Sequence, residues 1–355
     1  MTKIQWTNRT WNPTTGCKMV SEGCRFCYAQ KMTKRLAGMG QEKYKGILTD
    51  KGKFNGTVRT HDAELMKPFT WKKPCMVFVN SMSDLFHEDV PFEFIDEVFK
   101  VMAANHKLTF QVLTKRPERM AKYLNEDRAN HRFIGYSANR PVPEPINWPL
   151  PNVWLGTSVE NQAAANERIR HLLACPSAVR FLSCEPLLGP VDITNKGLKN
   201  AYSVPTRFVG GHPCEWTDPG DKFIGGIHWV IAGGESGSPK ARPMHPDWAR
   251  SLRDQCARAK VPFFFKQWGD WIDLENCPDD LKPWCGPTDG YVSHAFDFST
   301  PDHGRSFRMY KVGKHKSGRL LDGVEHDEFP TTKAPFTETY NADHRTPCGT
   351  NHLPS

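Results

Sequence analysis

From residue 76 onward one unit recurs: a short apolar run rich in branched and aromatic residues, a polar cluster, then an amphipathic stretch. The runs are MVFV (76–79), FQVL (110–113), VWLG (153–156), VRFL (179–182), WVIA (229–232) and VPFFF (261–265). Apolar runs without polar alternation suit strands buried on both faces, as in a parallel sheet. The helices between them have legible starts. Pro91, Pro117 and Pro246 open PFEFIDEVFKVMAAN, PERMAKYL and PDWARSLRDQCARAK, because the first helical turn has no use for the amide hydrogen that proline lacks. Asn161 stands where a cap for QAAANERIRHLL is needed. The alternation predicts βαβ units with right-handed crossovers, and therefore an α/β fold.

Polar residues collect directly after each run: NSMSD (80–84), TKR (114–116), TSVEN (157–161), SCEP (183–186), GGES (233–236) and KQW (266–268). An open doubly wound sheet fits the alternation as well, but clusters at the same end of every strand favour a partial or complete (β/α) barrel of the TIM type, whose strand ends converge on one mouth. The barrel is expected over residues 1–270, with an irregular Gly- and Pro-containing insertion at 187–228. FRMYKVG and GRLLDG read as a small β extension within 271–330, and 331–355 as a flexible polar tail.

Near the start stands CKMVSEGCRFCY, with Cys17, Cys24 and Cys27 on a loop before the helical segment AQKMTKRLAGM. A structural zinc site takes four protein ligands, commonly as two half-sites, and no second CxxC or spaced His pair follows nearby. A disulfide would leave one thiol over. Three thiolates on one loop match a cubane iron-sulfur cluster whose fourth iron has no protein ligand. Of the other cysteines, Cys75, Cys175, Cys184 and Cys256 lie in or beside apolar segments, and Cys277 and Cys285 bracket a Pro-rich loop as a weak second half-site.

The chain begins MTKIQWTNRTWNP, without the apolar stretch of a secretory signal, and no apolar run reaches bilayer length. A soluble cytoplasmic protein with reduced thiols is expected, not a membrane protein. The formal net charge is +8, and basic residues between Lys31 and Lys73 outnumber acids, with Tyr44, Phe54, Phe69 and Trp71 among them. A polyanionic partner fits that pattern.

The loop CxxxxxxCxxCY resembles a widened CxxxCxxC loop of the radical S-adenosylmethionine (SAM) enzymes, with six residues between the first two cysteines where three are usual. The segments VNSMSDLFHEDVP, FQVLTKRPERM, VWLGTSVENQ, RFLSCEPLLGPVD, WVIAGGESG and PFFFKQWG resemble a phage-associated radical-SAM-like family from about residue 3 to residue 330. Members are similar to enzymes of thymidine hypermodification, including one that isomerises 5-Nα-glycylthymidine to its 5-Cα-glycyl form. The resemblance implies a [4Fe-4S] cluster on Cys17, Cys24 and Cys27, SAM on the open iron, a separate electron donor such as a reductase or flavodoxin-like protein, and DNA as substrate in the host cytoplasm. It implies Phe26 and Tyr28 near the adenine. The Gly-Gly-Glu that meets the SAM amino group in many such enzymes follows their second strand. That position here carries Ser81, Ser83 and Asp84, while Gly233, Gly234 and Glu235 come several strands later, as ribose or substrate contacts. Arg116 is expected on the SAM carboxylate, as are Lys115 and Lys266, and Ser158, Glu160, Asn161 and Glu185 on ribose hydroxyls or substrate. Glu185, Glu160, Lys115 and Lys266 are the candidates for catalysis. Two readings stay open beside this one: a zinc-stabilised nucleic-acid-binding protein without catalysis, and a radical SAM enzyme of a small metabolite or protein.

Overall fold

A computed structural model describes residues 2, 4–125, 149–194, 226–279 and 307–331, and the backbone of short strands at 135–137, 140–142, 204–209, 212–217 and 295–298. The recurring apolar runs form one sheet. Its strands are β1 (Arg9–Trp11), β2 (Cys75–Val79), β3 (Leu108–Thr114), β4 (Val153–Ser158), β5 (Val179–Cys184), β6 (Trp229–Gly233) and β7 (Phe263–Gln267). They pair in chain order, every neighbour parallel. Helices α1 (Tyr28–Gly38), α2 (Phe92–Ala104), α3 (Pro117–Asn125), α4 (Gln162–Leu173) and α5 (Pro246–Ala259) lie in the connections. Asn161 caps α4, its side chain accepting from the Ala164 amide at 3.0 Å.

β1 and β7 are the two edges of the sheet, so the barrel is partial. The sheet nevertheless curls until elements from its two sides touch. Trp6, just before β1, stands 6.3 Å from the ring of Trp229 on β6, and the Lys31 ammonium of α1 reaches the Gly237 carbonyl beyond β6 at 3.3 Å.

Side-chain alternation sorts the apolar residues into two layers. Val77, Val79, Phe110, Val112, Leu155, Leu182, Val230 and Phe265 join the helix-facing core. Trp6, Phe78, Trp154, Phe181, Trp229, Ile231 and Phe264 form a separate cluster inside the curl, the floor of the barrel. Gly156 makes room there: a Cβ on it would lie 2.5 Å from the Phe181 ring. The chain beyond β7 closes the underside, with the Phe329 ring 5.0 Å from Trp229 and the Trp229 indole donating to the Glu328 carbonyl at 2.8 Å.

Trp271–Asp273, Ala295–Phe298 and Phe307–Lys311 make a three-stranded antiparallel sheet, of which the sequence marked only FRMYK as β. GRLLDG forms a two-residue hairpin ladder, Leu320–Leu321 with Val324–Glu325. Within the 187–228 insertion, 204–209 pairs antiparallel with 212–217. Residues 332–355, and with them the expected tail, lie outside the described residues, as does Cys285. No helix among the described residues is long and apolar enough to cross a membrane.

Candidate functional site

All six polar clusters lie at the C-terminal ends of their strands, around one mouth, with the cysteine loop hanging over it from β1. Gly16 starts that loop at φ +88°, where a Cβ would collide with the Thr57 carbonyl oxygen at 2.0 Å, so only glycine fits. Cys17 follows. Cys24 ends a 3-10 turn (Glu22–Cys24), and Cys27 caps α1, its amide donating to the Cys24 carbonyl at 3.3 Å. The buried Gln30 side chain holds the same carbonyl at 3.4 Å. Burial, with Asp84 adding to it, pushes the Cys17 thiol up to about 12, against the pull of Arg116. Burial also raises Cys27, with the charge of Cys24 adding to the effect. Thiols this desolvated stay protonated unless a cation replaces the proton.

The sector after β2 and β3 is bonded within itself around Asp84 and Arg116. Asp84 accepts from the Thr114 hydroxyl (2.7 Å), the Phe86 and Lys115 amides (3.0 and 3.1 Å) and Arg116 Nη1 (3.1 Å). Arg116 also donates to Glu88 at 3.1 Å and to the Lys18 carbonyl at 3.3 Å, and its Nη1 lies 4.0 Å from Cys17 Sγ. Ser83 bonds Thr14, and Ser81 and the Met82 amide bond Asn12. This stretch ties the cysteine loop to β2. The sequence assigned Ser81, Ser83, Asp84 and Arg116 to the cofactor; the structure occupies them within the protein.

The sector after β4 to β7 keeps spare capacity. Glu160 accepts from Arg168 at 2.9 Å through one oxygen, while its buried Oε1 makes no hydrogen bond among the described residues. That carboxylate lies against the cysteine loop, since a Cβ on Gly23 would come within 3.1 Å of it. Burial alone would raise Glu160, but Lys115 and Arg168, with the Ser21 hydroxyl of the cysteine loop nearby, outweigh it and hold it below its ordinary value. The Lys115 ammonium has no hydrogen-bond or ion-pair partner among the described residues, and its charge also favours the Cys27 thiolate. Glu185 accepts from Lys266 at 2.6 Å and from Gln267 at 3.3 Å. Gly233 sits beside that pair, 3.5 Å from the Glu185 carboxylate at its Cβ position. Ser158 is buried in register with Ser183. Asn161 spends its side chain on the α4 cap.

The literal Gly-Gly-Glu has a packing explanation. A Cβ on Gly234 would meet the Trp268 carbonyl oxygen at 1.8 Å, so the backbone approach of the β6 and β7 ends requires glycine. Glu235 is engaged by Arg242, which the sequence reading overlooked because it sits in an aperiodic loop. Phe26 lies among cations, with Arg25, Lys53 and Arg242 at 5.6, 5.5 and 5.4 Å from its ring centre. Tyr28 is half-exposed, its hydroxyl 3.8 Å from the Met82 sulfur.

Among solved structures the chain is similar to spore photoproduct lyase complexed with dinucleoside spore photoproduct, at 9% identity and TM-score 0.33, covering 84% of this chain and 67% of that one. A mutant of that lyase with bound AdoMet and dinucleoside spore photoproduct gives 10% identity, TM-score 0.34, and coverage of 85% and 67%. No curated protein matches the chain. A family model described as "Protein of unknown function (DUF5131)" matches residues 1–330, which is most of the sequence. The chain belongs to the DUF5131 family.

Proposed function

We propose that this chain is a radical SAM enzyme that acts on DNA, with Cys17, Cys24 and Cys27 holding a [4Fe-4S] cluster. One observation carries the reading: three thiols stand on one loop over the mouth of an open parallel half-barrel, beside a lysine ammonium and a buried carboxylate oxygen that have no partner among the described residues. Those two groups fit the ends of an amino acid, Lys115 a carboxylate and Glu160 an amine. When bound, the cluster would supply the electron that splits SAM into methionine and a hydrogen-abstracting 5′-deoxyadenosyl radical. The protein's part is to orient and shield. Glu185 and Lys266, paired at the inner wall, are left to contact ribose or substrate, and the aromatic floor keeps water from entering below.

A single zinc ion is the weaker alternative. A closed structural zinc site takes four protein ligands, commonly as two half-sites, whereas this loop offers three thiols.

The net charge of +8 supports a nucleic-acid substrate, and a base in duplex DNA must leave the stack to enter a mouth of this kind. The specific reaction we infer, on the family resemblance, is conversion of 5-Nα-glycylthymidine to 5-Cα-glycylthymidine. The glycyl α-carbon loses a hydrogen, the thymine 5-methylene moves its bond from nitrogen to that carbon, and the nitrogen left with the unpaired electron takes a hydrogen back, so the isomerisation is redox-neutral. Anaerobic purification should give a brown protein with iron and sulfide, absorbing at roughly 400 nm as such clusters do, that forms 5′-deoxyadenosine from SAM under reduction. Mass spectrometry of nucleosides from treated DNA identifies the substrate. A colourless protein with stoichiometric zinc overturns the assignment, and SAM cleavage with unchanged DNA overturns the substrate.

A further inference from the structure

We propose that Arg242 is a latch that holds the cysteine loop closed from across the mouth, with Glu235 as its anchor. The inference rests on the radical SAM reading for its purpose, but the latch itself is a property of the metal-free chain.

Glu235 is 5% exposed and spends both oxygens on one residue, accepting from Arg242 Nη2 (2.6 Å), Nε (2.9 Å) and the backbone amide (2.9 Å). From that anchor the guanidinium reaches the cysteine loop. Nη2 donates to the Glu22 carbonyl at 3.0 Å, Nη1 to the Glu22 carboxylate at 3.3 Å, and the cation lies 5.4 Å from the Phe26 ring centre. Glu22 begins the turn that ends in Cys24, and Phe26 separates Cys24 from Cys27, so the contacts flank the second cysteine on both sides.

The location gives these contacts their importance. The cysteine loop hangs from β1, at one edge of the sheet, and the Arg242 loop from β6, near the other. Among the described residues no backbone ladder joins those edges, β1 pairing there with β2 alone. A closed barrel would fix the two loops through strand pairing; here side chains span the gap. Only a planar fork can hold one carboxylate with two nitrogens, one of which also reaches a carbonyl, while the third meets a second carboxylate, so lysine is a poor substitute. Glu235 is thereby a positioning residue for the loop.

The test is amide hydrogen exchange on the full-length, metal-free protein. In Arg242→Ala and in Glu235→Gln, exchange over residues 21–28 should quicken by about tenfold or more, as loss of charge-assisted bonds allows, while α2 keeps its wild-type rate. Arg242→Lys should fall between, and the double variant should exchange no faster than Arg242→Ala, because the residues act as one unit. Unchanged exchange over 21–28 in both single variants overturns the latch. So does acceleration spread evenly over the sheet, which would mark a general stabilising role. In reconstituted protein, the variants should also lose iron faster than wild type. A wild type that takes up no iron refutes the cluster, and leaves the exchange result to decide the latch.

Discussion

The mouth has two halves built from the same kind of polar cluster, and they use it differently. After β2 and β3 the serines and Asp84 are engaged within the protein: Asp84 alone takes four donors, from Thr114, Lys115, Arg116 and the Phe86 amide. After β4 to β7 the groups are only partly engaged, with an unpartnered Glu160 oxygen and a Glu185–Lys266 pair of which neither member is fully enclosed. The first half is scaffold for the cysteine loop, and the second retains the capacity to bind. Position after a strand therefore does not distinguish chemistry from architecture; the count of unfilled donors and acceptors does.

Substitutions can break or sharpen that contrast. The largest effect belongs to the loop both halves serve: Cys24→Ala should abolish the chromophore, iron retention and 5′-deoxyadenosine formation while the circular dichroism of the barrel persists. Retained 5′-deoxyadenosine formation would sink the cluster assignment. Next comes the scaffold half. Asp84→Ala leaves the buried Arg116 without its one buried carboxylate partner among the described residues and should cost about 3–5 kcal/mol in denaturant unfolding; a loss below about 1 kcal/mol would erase the distinction between the halves.

Glu160→Gln should cost about 1–3 kcal/mol at neutral pH, where the carboxylate bonds Arg168. The folded carboxyl titrates below its ordinary 4.5, so its contribution is complete above the unfolded value and disappears as pH falls through the folded one. The gap between variant and wild type should close under acid; a gap independent of pH would contradict that origin. Glu185→Gln should have the smallest effect on stability, within about 1 kcal/mol for a pair still open to solvent, yet slow turnover at least about tenfold if it contacts substrate. Unchanged kinetics would move Glu185 to the scaffold half.

Much of this architecture was legible in the amino-acid order. Six of the seven strands are apolar runs, and the helix starts at Pro91, Pro117, Pro246 and Asn161 follow from backbone chemistry. β1 was hidden in TNRTWNPTTG because a three-residue edge strand with only Trp11 fully buried carries no run. The floor residue Trp6 gave no signal either, since its partners lie on distant strands. At the site, residue types were readable but their commitments were not. Ser83 and Asp84 read equally as ligands or struts until Thr14 and Arg116 appeared beside them. Glu22 and Arg242 are 220 positions apart, and no local pattern encodes a contact formed only when a sheet curls. The glycines before Glu235 read as a motif, yet Gly234 is demanded by the Trp268 carbonyl.

The aromatic floor has a kinetic consequence. Trp6, Phe181, Trp229 and Phe264 are each no more than 2% exposed, so among the described residues the half-barrel is closed at its floor and entered from the mouth. A polymer lying across that opening would trap whatever is beneath it. On the reading proposed here, the small cosubstrate must arrive first and its fragments leave last, a compulsory order visible as DNA slowing the escape of prebound SAM.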